Sequence, residues 1–438
     1  MKRRALLAAG AAVACTAVLP ERSPSPAPTG RVAGLLADMS IPQRAAQTMS
    51  IAFHGRSVTA HAERMIREKR VGGVVIFREN VEDAAALRRL TGDLQRIARE
   101  AGVPPLLIAM DQEGGPVVRV GTGLAVLPSQ MALAASPDPA AAVRRAVRLV
   151  ARELRALGVN FQLAPVADVN DEPANPIIGN RAFGSDPRAV STLVAEAVRA
   201  YADAGLLCCA KHFPGHGSAT ADSHDELPDI PFARTRLDAV ELAPFRSAIA
   251  AGVPAIMSAH LTVPGLGAAQ QPATLSQAVM TGVLRDELGF GGLAVTDDLE
   301  MGALARSGGQ TAAGVAALRA GADYLLFRFD EGAQLEAHRL IVDTLLTGTL
   351  PPRRLDAAVT RVLEAKARWG VLDATAAPSF DLEADRAEAL GLAREGITVL
   401  RAGGLPLRGR VLAVSFGQPD LTPVDGQPSL AEVVARSV

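Results

Sequence analysis

From about residue 40 the chain alternates short, unbroken apolar runs with longer stretches whose apolar residues recur at helical spacing. The apolar runs fall at 48–53, 71–77, 106–110, 161–166, 206–210, 255–257, 293–295 and 324–327. Between them, 82–101, 140–157, 187–204, 237–251, 276–288 and 310–320 have the length and pattern of helices. A strand without a polar alternate is buried on both faces, as in a parallel sheet covered by helices. Eight such units predict an α/β fold whose sheet closes into a TIM (β/α)8 barrel. An open doubly wound sheet shares the alternation, but no Gly-rich phosphate loop directly follows the first strand.

A barrel of this kind places its chemistry at the C-terminal ends of the strands. Asp111 follows the third apolar run, Asp168 and Asn170 the fourth, Lys211 and His212 the fifth, Ser258 and His260 the sixth, and Asp297 the seventh. Any one of these could cap a helix. Five converging on one barrel mouth predict a site.

Composition narrows the function. The 438 residues carry 45 Lys+Arg against 46 Asp+Glu, so no basic field exists to attract nucleic acid. Aromatics are 3% of the chain, too few for a long polymer-stacking platform but enough for a single sugar pocket. At the N-terminus, Lys2, Arg3 and Arg4 precede an apolar stretch ending at Ala14, and no acid occurs before Glu21. This pattern predicts an export signal over 1–19, too short to span a membrane. Cys15 directly follows the small-x-small tripeptide Ala12-Val13-Ala14, so either free secretion or a lipid anchor at Cys15 fits. The Arg3-Arg4 pair weakly resembles a twin-arginine signal. Pro20, Pro24, Pro26 and Pro28 make 20–31 a stiff linker. The barrel is expected over 32–373, with a C-terminal extension over 374–438. Cys208 and Cys209 lie in an apolar run and are expected as buried thiols.

The densest chemistry lies in Lys211-His212-Phe213-Pro214-Gly215-His216-Gly217 and Asp222-Ser223-His224. Pro214, Gly215 and Gly217 forbid a helix, so His212 and His216 do not share a helical face as zinc-binding pairs do. Imidazole in such a loop suits proton transfer near neutral pH. Asp222, two residues before His224, is placed to orient that ring and favour its cation. In Thr296-Asp297-Asp298, neighbouring side chains of an extended strand face opposite ways. Asp297 is therefore expected in the mouth and Asp298 as a helix cap. Asp111, Arg119 and Arg181 offer an acceptor and two forks of donors apt for sugar hydroxyls.

These segments, in this order, resemble glycoside hydrolase family 3, and in particular its bacterial β-N-acetylglucosaminidase branch. The likeness spans roughly residues 32–370. It implies a retaining glycosidase that needs no cofactor and no metal and releases terminal N-acetylglucosamine from cell-wall or chitin-derived oligosaccharides. By that resemblance Asp297 is the nucleophile, His224 the general acid/base and Asp222 its partner. Asp111, Arg119, Arg181, Lys211 and His212 would hold the sugar. Residues 392–407 resemble the opening of the family's second α/β domain, which would here be incomplete. A monomer is expected.

The residues alone leave other readings open. His212, His216, Asp222 and His224 could serve a metal-dependent barrel hydrolase. A sugar-binding lipoprotein without turnover is a second reading. Within the family, phosphate could replace water as the acceptor.

Overall fold

The computed structural model describes residues 30–307, 309–373 and 377–398. The expected export signal with Cys15, most of the linker, and all of the extension beyond residue 398 lie outside the described residues.

Eight parallel strands close a barrel in chain order. They are β1 (Met49–Ile51), β2 (Gly73–Ile76), β3 (Leu107–Met110), β4 (Phe161–Gln162), β5 (Leu207–Phe213), β6 (Ala255–Ser258), β7 (Leu293–Asp298) and β8 (Tyr324–Phe327). β8 returns to β1 with Met49 opposite Leu325, so no edge is left open. Each strand contains part of one apolar run. Inside the barrel, Val75, Leu107, Phe161, Leu207, Met257, Leu293, Val295 and Tyr324 interdigitate as one packed core. Gly73 makes room for the largest of them, since a Cβ there would lie 2.2 Å from the Tyr324 hydroxyl and 2.2 Å from the Leu107 carbonyl. Cys208 and Cys209 are buried free thiols on successive strand positions. Cys209 joins the interior and Cys208 the layer beneath the helices.

The helices start where the sequence supplies caps. Asp83 accepts from the Ala86 N–H ahead of Ala84–Glu100, Asp138 from Ala141 ahead of Pro139–Ala156, and Asp186 from Ala189 ahead of Pro187–Asp203. Their apolar faces then lie on the barrel; Leu87, Leu90, Leu94 and Ile97 of the first are all buried. Two expected helices differ. The stretch 237–251 is two helices, Arg234–Ala239 and Ala243–Ala250, the second starting afresh with Pro244 in its first turn. The stretch 276–288 is wound more widely than an α-helix, as a π-type turn over Ala278–Glu287.

Beyond the barrel, helix Leu382–Glu395 buries Ala389 and Leu392. Arg145, on Pro139–Ala156, bonds Glu388 at 2.5 Å and Glu395 at 2.9 Å, and Arg152 pairs with Asp385. At the opposite end of the barrel from its mouth, helix Gly30–Ala37 opens the described chain. Arg31 donates to the Leu372 carbonyl and pairs with Asp373, both at 2.7 Å. Val32 lines a cavity together with Pro254 and Gly292, which directly precede β6 and β7. No helix among the described residues is long and apolar enough to cross a membrane.

Candidate active site

The strand ends surround a cavity of about 290 Å³, lined by Asp111, Glu113, Arg119, Arg181, Lys211, His212, His224 and Asp297 among others. Of the strand-end groups expected at the mouth, Asp111, Lys211, His212 and Asp297 line it together with Arg119, Arg181 and His224, whereas Asp168, Asn170, Ser258 and His260 do not; Asp222 bonds His224 from behind.

One wall is a chain of alternating charges. Lys211 Nζ lies 2.6 Å from both Asp111 Oδ1 and Glu113 Oε1. Arg119 bonds the other Asp111 oxygen at 3.0 Å, and Arg181 grips both Glu113 oxygens at 2.9 Å. Lys211 and Glu113 are each only 2% exposed in their side chains, so neither charge could persist without its partners. Burial pushes the Glu113 carboxyl up, but Arg181 and Lys211 outweigh it and bring it down to about 2. The Asp111 carboxyl is likewise held far below the usual range by Lys211 and Arg119 against the pull of burial. Three cations thus face two anions along this wall.

The local sequence builds this wall. Gly114 and Gly115 both have positive φ, which lets the chain reverse directly after β3. Gln112 then ties the returning strand, accepting from the Arg119 N–H at 2.9 Å and donating to the Val120 carbonyl at 2.8 Å. Arg119 is folded back onto Asp111 as a result.

Hydropathy alone puts Lys211 and His212 after the fifth strand; both lie within β5, which runs on to Phe213. Asp168, fully buried at the end of the fourth run, organises the loop beyond β5. It bonds His212 Nδ1 at 2.7 Å and accepts from the His216 main-chain N–H at 2.7 Å. A carboxylate only accepts, so Nδ1 carries a proton and Nε2 of His212 is left for the cavity. His216, also on the cavity lining, bonds Ser223 Oγ at 3.0 Å. Burial and the nearby His212 drive the His216 pKa down to about 4, so the ring is neutral. Gly217 lets the loop pass the end of the fourth run, since a Cβ would lie 1.9 Å from the Val169 carbonyl.

His224 closes the cavity. Its Nδ1 and its main-chain N–H bond Asp222 Oδ1 at 2.7 and 2.9 Å. Burial alone would lower the ring's pKa; the bond to Asp222 and the charges of Asp222 and Asp297 outweigh it and raise the pKa above the ordinary imidazole value. The His224 carbonyl accepts from the Gly302 N–H at 2.9 Å, which ties this loop to the segment after β7. A Cβ on Gly302 would lie 2.6 Å from that carbonyl. Gly302→Ala should therefore shift His224 and reduce kcat on a disaccharide on the order of 10²-fold, with the melting temperature little changed. Unaltered kcat would show that the loop's position is set elsewhere.

Asp297 lies within β7, whose register against β8 shifts between Val295 and Asp298. One Asp297 oxygen accepts from the Asp298 N–H at 2.8 Å. Burial pushes its carboxyl up, but His212, His260 and His224 together with that N–H hold it below the ordinary value, so it is an anion at neutral pH. Asp298 departs from expectation. The irregularity brings it to the cavity lining as well, and its side chain caps the turn at Glu300, at 2.9 Å, in place of an α-helix. Burial raises its pKa to about 7.

The profile of the Glycosyl hydrolase family 3 N terminal domain matches residues 40–365. The chain belongs to glycoside hydrolase family 3. A relative named beta-hexosaminidase from Alkalilimnicola ehrlichii is 40% identical over 283 residues, covering 64% of this chain and 79% of its own. Another so named, from Stenotrophomonas maltophilia, is 37% identical over 305 residues, covering 68% of this chain and 89% of its own. Among solved structures, a glycoside hydrolase family 3 beta-N-acetylglucosaminidase from Paenibacillus superposes with a TM-score of 0.80 at 40% identity, over 83% of this chain and 70% of its own.

Two residues of this family 3 site do not stand out in the sequence. Glu113 lies inside the Asp111–Arg119 segment, but its partner Arg181 is 68 positions away. Asp168 shows there only as a strand-end group, because its partner His212 is 44 positions on. The three loop histidines that a metal reading would pool bond instead to Asp168, Ser223 and Asp222 separately.

Proposed function

We propose that this family 3 glycoside hydrolase removes terminal, non-reducing β-linked N-acetylglucosamine from oligosaccharides, with retention and through a covalent glycosyl-enzyme on Asp297. The observation that carries the reading is the pairing of Asp297 and His224 on one sugar-sized cavity, with pKa values moved apart. Retention needs a permanent carboxylate nucleophile and a group that first gives and then takes a proton. An anionic Asp297 and a His224 charged by Asp222 fit these two roles. Asp111, Arg119, Lys211 and His212 would hold the sugar's hydroxyls, with Arg181 bracing Glu113 behind them. The likeness to the Paenibacillus beta-N-acetylglucosaminidase supports N-acetylglucosamine as the sugar released.

We further propose that the protein acts outside the cytoplasm, on wall-derived fragments, after export through residues 1–19, either freely secreted or held by a lipid on Cys15. Purified protein should release N-acetylglucosamine from an aryl N-acetylglucosaminide, with the β-anomer formed first by NMR. No release, or initial formation of the α-anomer, contradicts the assigned mechanism. In cells, Cys15→Ser should move a lipid-held protein from the membrane to the soluble envelope fraction; unchanged membrane attachment contradicts the lipid.

A further inference from the structure

Beside the charged wall, at the barrel mouth, the ends of β8 and β2 hold Arg328 and Phe77. The Arg328 guanidinium carbon sits 5.2 Å from the Phe77 ring centre and 5.1 Å from that of Phe329. His54 stacks on the Phe329 ring at 4.3 Å, and the Arg119 guanidinium lies over Phe77 at 5.5 Å. The backbone here is fixed from two directions. The Arg328 carbonyl accepts from the Ala52 N–H at 3.1 Å and from Gln334 Nε2 at 2.9 Å. Glu300 accepts from the Phe329 and Asp330 N–H groups at 3.0 and 3.1 Å.

So firmly placed a guanidinium would ordinarily serve a carboxylate. Among the described residues Arg328 has no hydrogen-bond or ion-pair partner, and its Nε is shut from solvent without one. The acids around it are committed elsewhere. Glu79 pairs with His54 at 2.9 Å and both Glu300 oxygens take main-chain N–H groups. Asp298 feels the Arg328 charge, but it forms no ion pair with it among the described residues and turns one oxygen to the Glu300 N–H. A planar fork, pre-stacked and unpaired at the lining of a reaction cavity, lacks only an oxyanion.

We propose that Arg328, held between Phe77 and Phe329, is the oxyanion-binding element of the subsite that takes the departing or attacking group. The proposal rests on the glycosidase reading above. Two sources of oxyanion share this chemistry. One is a carboxylate on the leaving sugar. The other is inorganic phosphate acting as acceptor. In that case a phosphate oxygen bonds to the anomeric carbon as the ester bond to Asp297 breaks, giving a sugar 1-phosphate and restoring the carboxylate.

The test compares two disaccharides of the same linkage, N-acetylglucosaminyl-N-acetylmuramic acid and diacetylchitobiose, with an uncharged aryl N-acetylglucosaminide as reference, each with and without inorganic phosphate. The readout is the ratio of kcat/KM values. A carboxylate source predicts that the acidic disaccharide is favoured about ten- to a hundredfold, the range for a hydrogen bond to a charged group. It also predicts that Arg328→Met, which keeps the stack apolar, erases that preference, while Arg328→Lys keeps part of it. A phosphate source predicts saturable acceleration by phosphate with sugar 1-phosphate as product, lost in Arg328→Met. The proposal is overturned if wild-type protein shows neither preference, or if Arg328→Met slows all substrates equally. Absence of turnover on the aryl reference would remove the glycosidase reading, and this proposal with it.

Discussion

Asp297→Ala should reduce turnover roughly 10⁴–10⁶-fold, the scale seen when a covalent nucleophile or its activating partner is lost. The fold should survive, because among the described residues the Asp297 side chain bonds only its neighbour's N–H and otherwise faces a cavity. Removing the anion should also loosen its grip on the surrounding rings, since its charge contributes to raising the His224 pKa. A 2-fluorinated or otherwise slowed N-acetylglucosaminyl donor should label wild-type protein at Asp297, read by peptide mass spectrometry. Label on Asp298 would reverse the assignment. That alternative is a real one, since both carboxylates line the cavity. Asp297 is favoured because the surrounding histidines hold its carboxyl below the ordinary value, whereas burial raises that of Asp298 to about 7.

His224→Ala should distinguish leaving groups. A sugar alcohol departs poorly without a proton, whereas dinitrophenolate hardly needs one. Loss of a general acid costs on the order of 10²–10⁴-fold where proton transfer limits the rate. Cleavage of N-acetylglucosaminyl disaccharides should fall by that amount. With dinitrophenyl N-acetylglucosaminide, formation of the glycosyl-enzyme should be affected far less. Its breakdown should become slow, giving a burst of phenol that azide converts to steady turnover. The pH profile carries the same assignment. The first step needs the protonated ring, so kcat/KM on disaccharides should fall as pH rises through a value above the ordinary imidazole pKa of about 6.5. Asp222→Ala removes the bond that raises this pKa, so the alkaline limb should move to lower pH with a milder loss of rate. Equal losses on both substrates, without burst or azide rescue, would make His224 a sugar ligand.

Much of this is legible in the sequence, and the gaps have physical reasons. The eight apolar runs point to the barrel because a strand buried on both faces has no polar alternates. The same rule stops β5 at Ala210 and β7 at Val295, where hydropathy ends, although the hydrogen-bonded ladder continues through His212 and Asp298. Strand ends that reach into a polar cavity are strands without a hydrophobic signature. Asp297, His224 and Asp222 are visible because their chemistry is local: an acid at a strand end, and an acid two residues from a histidine. Glu113 and Asp168 act through partners dozens of positions away. Arg328 and Phe329 follow the last strand as a charge and a ring, with nothing nearby to show that they stack.

The described chain begins at the floor of the barrel, where helix Gly30–Ala37 is fastened by Arg31 and Val32 beside the starts of β6 and β7. The molecule therefore has a handle at one pole and its catalytic opening at the other. A tether fixed at residue 30 itself would leave from the pole away from the chemistry. Anchoring at residue 30 would thus turn the opening away from the attached surface.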